Sequence, residues 1–294
     1  MAKRKKKHDP LRVPNLLIVS DSHCGCRMGL WPCDKDLRLR GGVGYRPSRT
    51  QRTMWAWWRE MWDKWLPSVC RGEPFGVVMN GDAMDGRHHG STTQISQVSS
   101  DQVDIAEAVW APVVERCEGR FWLVSGTEAH TGPWAENEEM LAERLAAIPD
   151  ENGHHARPEL WKWVGHQGES TADCGLVHCN HHIGTTSSHA YESSAPMREL
   201  VAEFTEAGQW HRRPPDAVAR SHRHRYILVE VPTETGRALC VVTPGWQGKT
   251  PFTFRIAAGR QSQPQFGAVL LRHGDEEKIY ARRFVRSLNR PRPE

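Results

Sequence analysis

Five short motifs rich in aspartate and histidine follow one another along this 294-residue chain. In order, they are Asp21-Ser22-His23, Gly81-Asp82-Ala83-Met84-Asp85, Gly126-Thr127-Glu128-Ala129-His130, His181-His182 and Ser221-His222-Arg223-His224. Each motif lies at or near the end of an apolar run that is typical of a strand. Two divalent metals held a few ångströms apart by such ligands suit the in-line attack of hydroxide on phosphorus. The set therefore predicts a two-metal site that hydrolyses phosphate esters.

The first two motifs contain candidate ligands for both metals. Asp21 and His23 are two residues apart, and in an extended chain both side chains point to the same side and can reach one metal. Asp82 ends the next strand and is the expected bridging carboxylate. Mixed histidine and carboxylate ligands favour Mn²⁺, with Fe or Zn²⁺ as alternatives, over Mg²⁺ or Ca²⁺. We therefore expect two divalent metal ions as cofactors, with Mn²⁺ as the first choice.

The last two motifs add imidazole ligands. His222 and His224 form a second pair with a spacing of two, and they are able to reach the two metals separately. One of His181 and His182 supplies a further imidazole, and the sequence leaves open which of them does so.

Asp85 and His130 remain as candidates for proton transfer. A histidine that binds no metal can protonate a leaving oxygen, and a carboxylate can fix its tautomer. We expect these two residues to be catalytic.

The apolar runs before the motifs alternate with helical segments. Strands are predicted over 15–20, 75–79, 121–125, 160–164, 175–179 and 216–220, and helices over 51–66, 101–117, 134–147 and 195–206. Trp55, Trp58, Trp62 and Trp65 recur at helical spacing, so they are expected to face the core. Because strand-to-loop junctions of α/β folds meet at one edge of a sheet, the motifs are expected to converge there.

From Tyr226 onward the pattern changes to strands without intervening helices. These strands are predicted over 226–231, 238–243, 266–271 and 278–284, and they indicate antiparallel pairing. We predict a single domain over residues 13–285 with an insertion at about 24–50. A basic disordered arm at 1–12 and a basic tail at 286–294 are predicted to flank it.

Composition indicates a globular protein, and we expect no membrane-spanning segment. Hydrophobic residues make up 38% of the chain and charged residues 25%. No apolar run reaches the roughly 20 residues of a membrane span. No apolar segment of a secretory signal follows the basic start, so we expect a cytoplasmic location, in the host if the chain is phage-encoded. The eight cysteines are not expected to form a disulfide framework.

The ordered motifs resemble those of the calcineurin-like metallophosphoesterase superfamily, whose pattern is D-x-H, G-D-x-x-D, G-N-H, a later His and G-H-x-H. The resemblance covers roughly residues 15–250 and is closest to the variants often encoded in bacteriophage genomes. It implies an α/β fold, a four-layer α/β/β/α sandwich of two mixed sheets flanked by helices. It also implies a dinuclear centre and an acid dyad. One metal would be held by Asp21, His23, Asp82 and His224, the other by Asp82, His222 and His181 or His182, with Asp85 and His130 as the dyad.

The sequence departs from that pattern at two motifs. Ser221 replaces the glycine of G-H-x-H, which is a minor change. The third motif lacks the asparagine of G-N-H. Glu128 is the first candidate to replace the amide ligand with a carboxylate, and Thr127 is the weaker candidate.

Four further residues are candidates for substrate binding. His88 and His89 follow Asp85 on a polar loop and could touch the substrate phosphate. In the stretch 244–250, Trp246 could stack on a base or sugar, and Lys249 could meet a phosphate. Solvated loop histidines, and a turn with a packed tryptophan, are the structural alternatives.

Three functions fit these residues. The first is hydrolysis of a phosphodiester, expected in a nucleic acid such as DNA or RNA or in a nucleotide. Basic segments near both ends agree with a polyanionic substrate. The second is a phosphomonoesterase, including a phosphoprotein phosphatase. The third is a nucleic-acid-binding protein without catalysis on the same scaffold.

Overall fold

The computed structural model describes residues 11–42, 44–88, 90–186, 188–234, 236–256, 263–274 and 277–289. Most of the predicted arm at 1–12, the end of the predicted tail at 286–294, and His89 lie outside these residues. In the described part, no helix is both long and apolar enough to cross a membrane.

The first of two mixed sheets has six strands in the order β11-β10-β1-β2-β3-β4. Its strands are β1 (Asn15–Val19), β2 (Phe75–Asn80), β3 (Phe121–Val124), β4 (Ala156–Arg157), β10 (Phe266–Arg272) and β11 (Tyr280–Arg286). β1 to β4 are parallel, with Leu17 opposite Val77, whereas β10 and β11 are antiparallel. The four parallel strands therefore direct their carboxyl ends to one edge.

The second sheet has five strands in the order β5-β6-β7-β9-β8. Its strands are β5 (Leu160–Val164), β6 (Gly175–Cys179), β7 (Ala217–Arg220), β8 (Ile227–Thr233) and β9 (Gly236–Val242). β6, β7 and β9 are parallel, and β5 and β8 pair antiparallel at the two edges. The change of pattern predicted after Tyr226 is real, but its strands divide between both sheets.

Helices cover the outer faces of the two sheets. They are α1 (Arg49–Glu60), α2 (Leu66–Cys70), α3 (Ser99–Arg116), α4 (Glu128–Thr131), α5 (Glu136–Arg144), α6 (Ser194–Gln209) and α7 (Pro251–Arg255). Alternate side chains of β1 separate the layers, because Leu17 packs with the α1, α3 and α5 core and Leu16 packs with the second sheet. On the far side, Leu200 of α6 packs on β7 and β9. This confirms the predicted four-layer α/β/β/α sandwich of two mixed sheets flanked by helices.

The tryptophan stripe lies in the core, as its spacing predicts. Trp55, Trp58 and Trp62 are buried, and Trp65 packs against Phe284 of β11. The helix continues past α1 through a π-helical turn over Met61–Trp65.

Residues 24–50 are mostly irregular but tied to the body. The Cys24 N–H donates to the Ala83 carbonyl, and Leu30 and Trp31 are buried. All eight cysteines lie within the described residues, and each is a free thiol.

Three arginines near the carboxyl end are part of the first sheet. Arg282, Arg283 and Arg286 belong to strand β11, so the folded part extends beyond residue 285. Arg286 pairs with Glu60 of α1 at 2.6 Å and is not part of a tail.

Candidate metal centre

The five motifs meet at one edge of the sandwich. The loops that follow β1, β2 and β3 of the first sheet carry Asp21, Asp82 and Thr127. The loops that follow β6 and β7 of the second sheet carry His181 and His222. Because all five strands are parallel within their own sheets, their carboxyl ends deliver these side chains to a common site.

Five of the predicted ligands share an unusual backbone conformation. Positive φ angles occur at Asp21 (54°), His23 (41°), Asp82 (56°), His222 (68°) and His224 (50°). This left-handed conformation costs roughly 1–3 kcal/mol per residue and persists only where surrounding structure imposes it. The loops are indeed fixed to each other, since the Asp21 N–H donates to the Gly81 carbonyl at 2.9 Å.

Two glycines permit the close approach of these loops. A Cβ atom on Gly81 would lie 2.4 Å from Nδ1 of His181, and one on Gly126 would lie 2.2 Å from the Asp82 nitrogen. Gly81 also has a positive φ of 83°. Any side chain at either position would displace a predicted ligand.

Asp21, His23 and His224 form the first group. One ligand atom from each lies within 4.8 Å of the others. Oδ1 of Asp21 is 3.1 Å from Nε2 of His224, and Nε2 of His23 is 3.3 Å from the same atom. The three atoms are close enough together to bind a single cation.

Asp82, His181 and His222 form the second group, also within 4.8 Å. Oδ2 of Asp82 lies 3.1 Å from Nε2 of His181. The Nδ1 atom of His181 is 2.7 Å from the Asn80 carbonyl, which fixes the proton there and leaves Nε2 for a metal. His181 is buried, whereas the adjacent His182 is exposed. Of the two candidates, the structure brings His181 into the group.

The two groups share a boundary. Oδ2 of Asp82 is 3.9 Å from Nε2 of His23, and Oδ1 of Asp21 is 3.9 Å from Nε2 of His181. Metals of dinuclear hydrolytic sites lie roughly 3.5–4 Å apart. Oδ2 of Asp82 therefore lies close to ligand atoms of both groups.

The chemistry of the buried groups fits cations. Asp21 and Asp82 are fully buried carboxylates whose ion-pair partners in the described structure are histidines. Two buried atoms of these groups, Oδ1 of Asp21 and Nε2 of His181, make no hydrogen bond of acceptable geometry within the described structure. Buried polar atoms of this kind are costly unless another partner satisfies them. Divalent cations would supply that partner.

The electrostatics of the site agree. Burial would raise the pKa of Asp21, but His224 and His181 lower it to about 2. Burial likewise opposes the ionisation of Asp82, yet His181 and His130 hold its pKa well below the usual value. Burial lowers the pKa of His181, but Asp82 and Asp21 raise it to about 10. The two carboxylates thus stay ionised and require positive charge beside them.

Asp85 and His130 do not form the side-chain dyad that the sequence suggests. Nδ1 of His130 is 2.6 Å from the backbone carbonyl of Asp85. The Asp85 carboxylate instead faces His23, with Oδ1 3.4 Å from Nδ1, and accepts hydrogen bonds from Gln94 and Gln247. The carbonyl, and not the carboxylate, fixes the His130 tautomer.

Thr127 occupies the place expected for Glu128. The Thr127 N–H donates to Oδ1 of Asp82 at 2.7 Å, and its hydroxyl lies 3.3 Å from Asp82 Oδ2 and from His222 Nδ1. Glu128 is exposed and belongs to none of the potential metal groups in the described residues. The structure therefore places Thr127 at the centre and Glu128 outside it.

The predicted substrate-binding residues have different positions. His88 is partly buried beside the centre, with its ring 4.4 Å from that of His130. Lys249 lies over the ring of Phe254. Trp246 is 0% exposed and packs at right angles on Trp58, so the prediction that it stacks on a substrate is wrong. The alternative, a turn with a packed tryptophan, describes it.

Two features of the site escaped sequence reasoning. Glu138 of α5 is fully buried and accepts the backbone N–H groups of Ala83 at 2.9 Å and Gly126 at 2.7 Å. Gln247 lies next to Trp246 in sequence but contacts Asp85. The sequence signal available for Glu138 was its helical spacing from Leu141 and Ala142, which places it on the buried face of α5. No comparable signal pointed to Gln247.

Comparison with known proteins gives only distant structural similarity. No family model and no curated protein matches this chain. Vps29 of Chaetomium thermophilum aligns with 96% of this chain and 99% of its own, at 9% identity and a TM-score of 0.35. Protein TM1076 of Thermotoga maritima aligns with 93% of this chain and 99% of its own, at 12% identity and a TM-score of 0.34. The sulfate thiohydrolase SoxB of Thermus thermophilus aligns with 93% of this chain and 56% of its own, at 14% identity and a TM-score of 0.39.

Proposed function

We propose that this protein is a phosphodiesterase that requires two divalent metals and acts on nucleic acids or nucleotides. The observation that carries the proposal is the pair of adjoining ligand groups, Asp21-His23-His224 and Asp82-His181-His222, with Asp82 at their boundary. Divalent ions in these groups, with Mn²⁺ as first choice, would supply Lewis-acid activation of the phosphate and of the attacking water.

His130 is the group best placed to serve the leaving oxygen. Its Nε2 atom lies 4.0 Å from Oδ2 of Asp82 and faces the centre, while Nδ1 is engaged by the Asp85 carbonyl. Burial lowers the pKa of His130 to about 4, so the imidazole is neutral at pH 7 before substrate binds. A bound anionic phosphate next to Nε2 favours the protonated form. Proton donation by His130 is therefore coupled to the arrival of substrate.

His88 and the Asp85 carboxylate support this arrangement. The His88 ring packs against His130, and its Nε2 lies 3.7 Å from Oδ2 of Asp85. Asp85 also orients His23 from the side opposite the centre. These contacts hold the rings in place, so that the geometry is preorganised before the reaction.

The choice of a nucleic acid or nucleotide substrate is supported by charge. The chain carries 39 lysine and arginine residues against 35 acidic ones, and five basic residues occur within positions 3–7. Attraction of this kind favours polyanions over small neutral substrates.

Hydrolysis of chromogenic esters tests the proposal. Purified protein with Mn²⁺ is expected to cleave bis-p-nitrophenyl phosphate, and EDTA, Asp82→Asn and His222→Ala are each expected to abolish this activity. His154→Ala, which alters an exposed histidine on the 150–154 turn, is the matched control and should retain it.

The other candidate functions have distinct outcomes in the same experiment. Cleavage of p-nitrophenyl phosphate alone would assign a phosphomonoesterase. Tight binding of DNA or RNA without turnover under any divalent metal would assign a binding protein. Full activity in Asp82→Asn would contradict the proposed site.

A further inference from the structure

A cavity of about 490 Å³ opens beside His130, which forms part of its wall. Arg87, Glu128, Pro133, Glu136 and Asn137 contribute to its walls. Its volume falls within the roughly 300–1,000 Å³ of small-molecule sites. Because His130 lines this cavity and its Nε2 lies 4.0 Å from Oδ2 of Asp82, a group in the cavity would lie next to a phosphate bound at the candidate metal centre.

Trp134 directly follows Pro133, which lines this cavity. Its side chain is 98% exposed, the largest value among the big apolar side chains of the described residues. The indole therefore gains no stabilisation from burial in the protein core. Tryptophan is enriched at binding interfaces, where its ring buries a large apolar area against a partner.

The backbone that presents Trp134 is held in a costly conformation. Trp134 has φ 56° and ψ 26°, and Ala135 has φ 57° and ψ 27°. Two successive residues other than glycine in the left-handed region cost roughly 1–2 kcal/mol each. Burial of the indole does not offset this backbone strain, and neither residue is a glycine. The turn therefore exposes the indole at a cost to local stability. Strain of this kind clusters at ligand-binding sites.

The charges of the cavity indicate which part of a substrate it accepts. Arg87 is exposed and held by a 2.6 Å hydrogen bond from Nε to the Gln97 carbonyl, so its guanidinium can meet a phosphate. Glu128 and Glu136 would repel a second phosphate within the cavity. Carboxylates do accept hydrogen bonds from the amino groups of nucleobases. A planar base over Trp134, with the backbone phosphates outside, satisfies these groups together.

We propose that Trp134 and this cavity form a stacking subsite for an unpaired nucleobase next to the scissile phosphodiester. The proposal rests on the proposed function and narrows its substrate to single-stranded nucleic acid. Stacking of one base on an aromatic side chain is sequence-tolerant, so the subsite selects unpaired strands and not a particular sequence.

Binding in EDTA tests the subsite separately from hydrolysis. The probes are a short fluorescein-labelled oligodeoxycytidylate, whose bases carry amino groups, and the same oligomer with abasic residues, whose charges are equal. Fluorescence anisotropy at low salt should show the base-bearing oligomer binding about 10-fold more tightly, the effect of one stacked base. Trp134→Ala should reduce this ratio to about 1, and Trp134→Phe should largely preserve it.

Trp210→Ala is the matched control. Trp210 is 61% exposed at the end of α6, away from the five motif loops, so its loss should leave the ratio unchanged. Equal binding of both oligomers by the wild type, no binding of either, or an unchanged ratio in Trp134→Ala would overturn the subsite. Metal-dependent cleavage of bis-p-nitrophenyl phosphate would still stand in each of those cases, because that assay does not depend on base recognition by Trp134.

Discussion

Oδ1 of Asp85 lies 3.4 Å from Nδ1 of His23, whose Nε2 lies 3.9 Å from both Asp21 and Asp82. The imidazole thus stands between a buried carboxylate outside the ligand groups and the carboxylates within them. A carboxylate behind a ligating histidine orients the ring and raises its basicity. Asp85 is therefore placed to act on the proposed metal site through His23, and Gln94 and Gln247 donate hydrogen bonds that hold its carboxylate.

Asp85→Asn is expected to weaken metal binding about 10- to 100-fold, because an amide provides a weaker partner for His23 than a carboxylate. Isothermal titration of metal-free protein with Mn²⁺ measures the effect. Asp101→Asn removes another buried carboxylate, which bonds Ser96 and the Arg40 backbone but no ligand. It should leave Mn²⁺ affinity unchanged, and equal loss in both variants would contradict the assignment.

The predictable part of the centre is the part that follows strand ends. Asp21, Asp82, His181 and His222 could be placed from sequence because each comes directly after an apolar run, and parallel strands bring such positions together. The same logic explains why the fold class could be predicted. Spacing alone could not separate His181 from His182, since burial decides between neighbours.

The parts that sequence missed depend on contacts across the fold. Glu138 reaches backbone atoms of two distant loops, and Trp134 is set apart by an exposure that its sequence context does not reveal. The prediction that Trp246 binds substrate is wrong because its sequence neighbours are polar residues and glycines, which are typical of an exposed loop, whereas its side chain is buried. Thr127 was ranked below Glu128 on ligand chemistry, whereas the turn that begins α4 directs Glu128 to the surface.

His181→Asn should lower Mn²⁺ affinity more than about 100-fold, beyond the range for residues that only support a ligand. His182→Asn alters the exposed neighbour and is expected to change the affinity by less than about threefold, as for other surface substitutions. The two variants are matched in chemistry and differ in burial. Titration with Mn²⁺ compares them directly, and a larger effect at His182 would reverse the assignment.

Thr127→Val should reduce Mn²⁺ affinity about 10-fold, because the hydroxyl that contacts both Asp82 and His222 is replaced by a methyl group of similar size. Thr127→Ser keeps the hydroxyl and should stay close to the wild type. Glu128→Gln removes the charge of the exposed candidate and should leave Mn²⁺ affinity unchanged. If Glu128→Gln produced the larger loss, the carboxylate interpretation of the third motif would be restored.

Glu138 is expected to make the free energy of unfolding of the metal-free protein depend on pH. Burial, together with the nearby Asp82, raises the pKa of Glu138 from 4.5 to about 7, although two backbone N–H groups favour its ionised form. Between those two pH values the folded protein keeps a proton that the unfolded chain releases. The contribution of Glu138 to the free energy of unfolding is therefore largest below pH 4.5 and is lost as pH rises through 7.

Denaturant unfolding of wild type and Glu138→Gln in EDTA, from pH 5 to pH 8, measures this contribution. Glutamine does not titrate, so the wild-type free energy of unfolding should fall relative to the variant by ~3 kcal/mol over the full interval from pH 4.5 to 7. Most of that change lies inside the measured range. Parallel curves would show that Glu138 keeps an ordinary pKa, with the two N–H groups outweighing burial. A decline confined to the wild type would show that this carboxylate joins the Asp82 and Gly126 loops at an electrostatic cost, which the positive charge of bound metals would reduce.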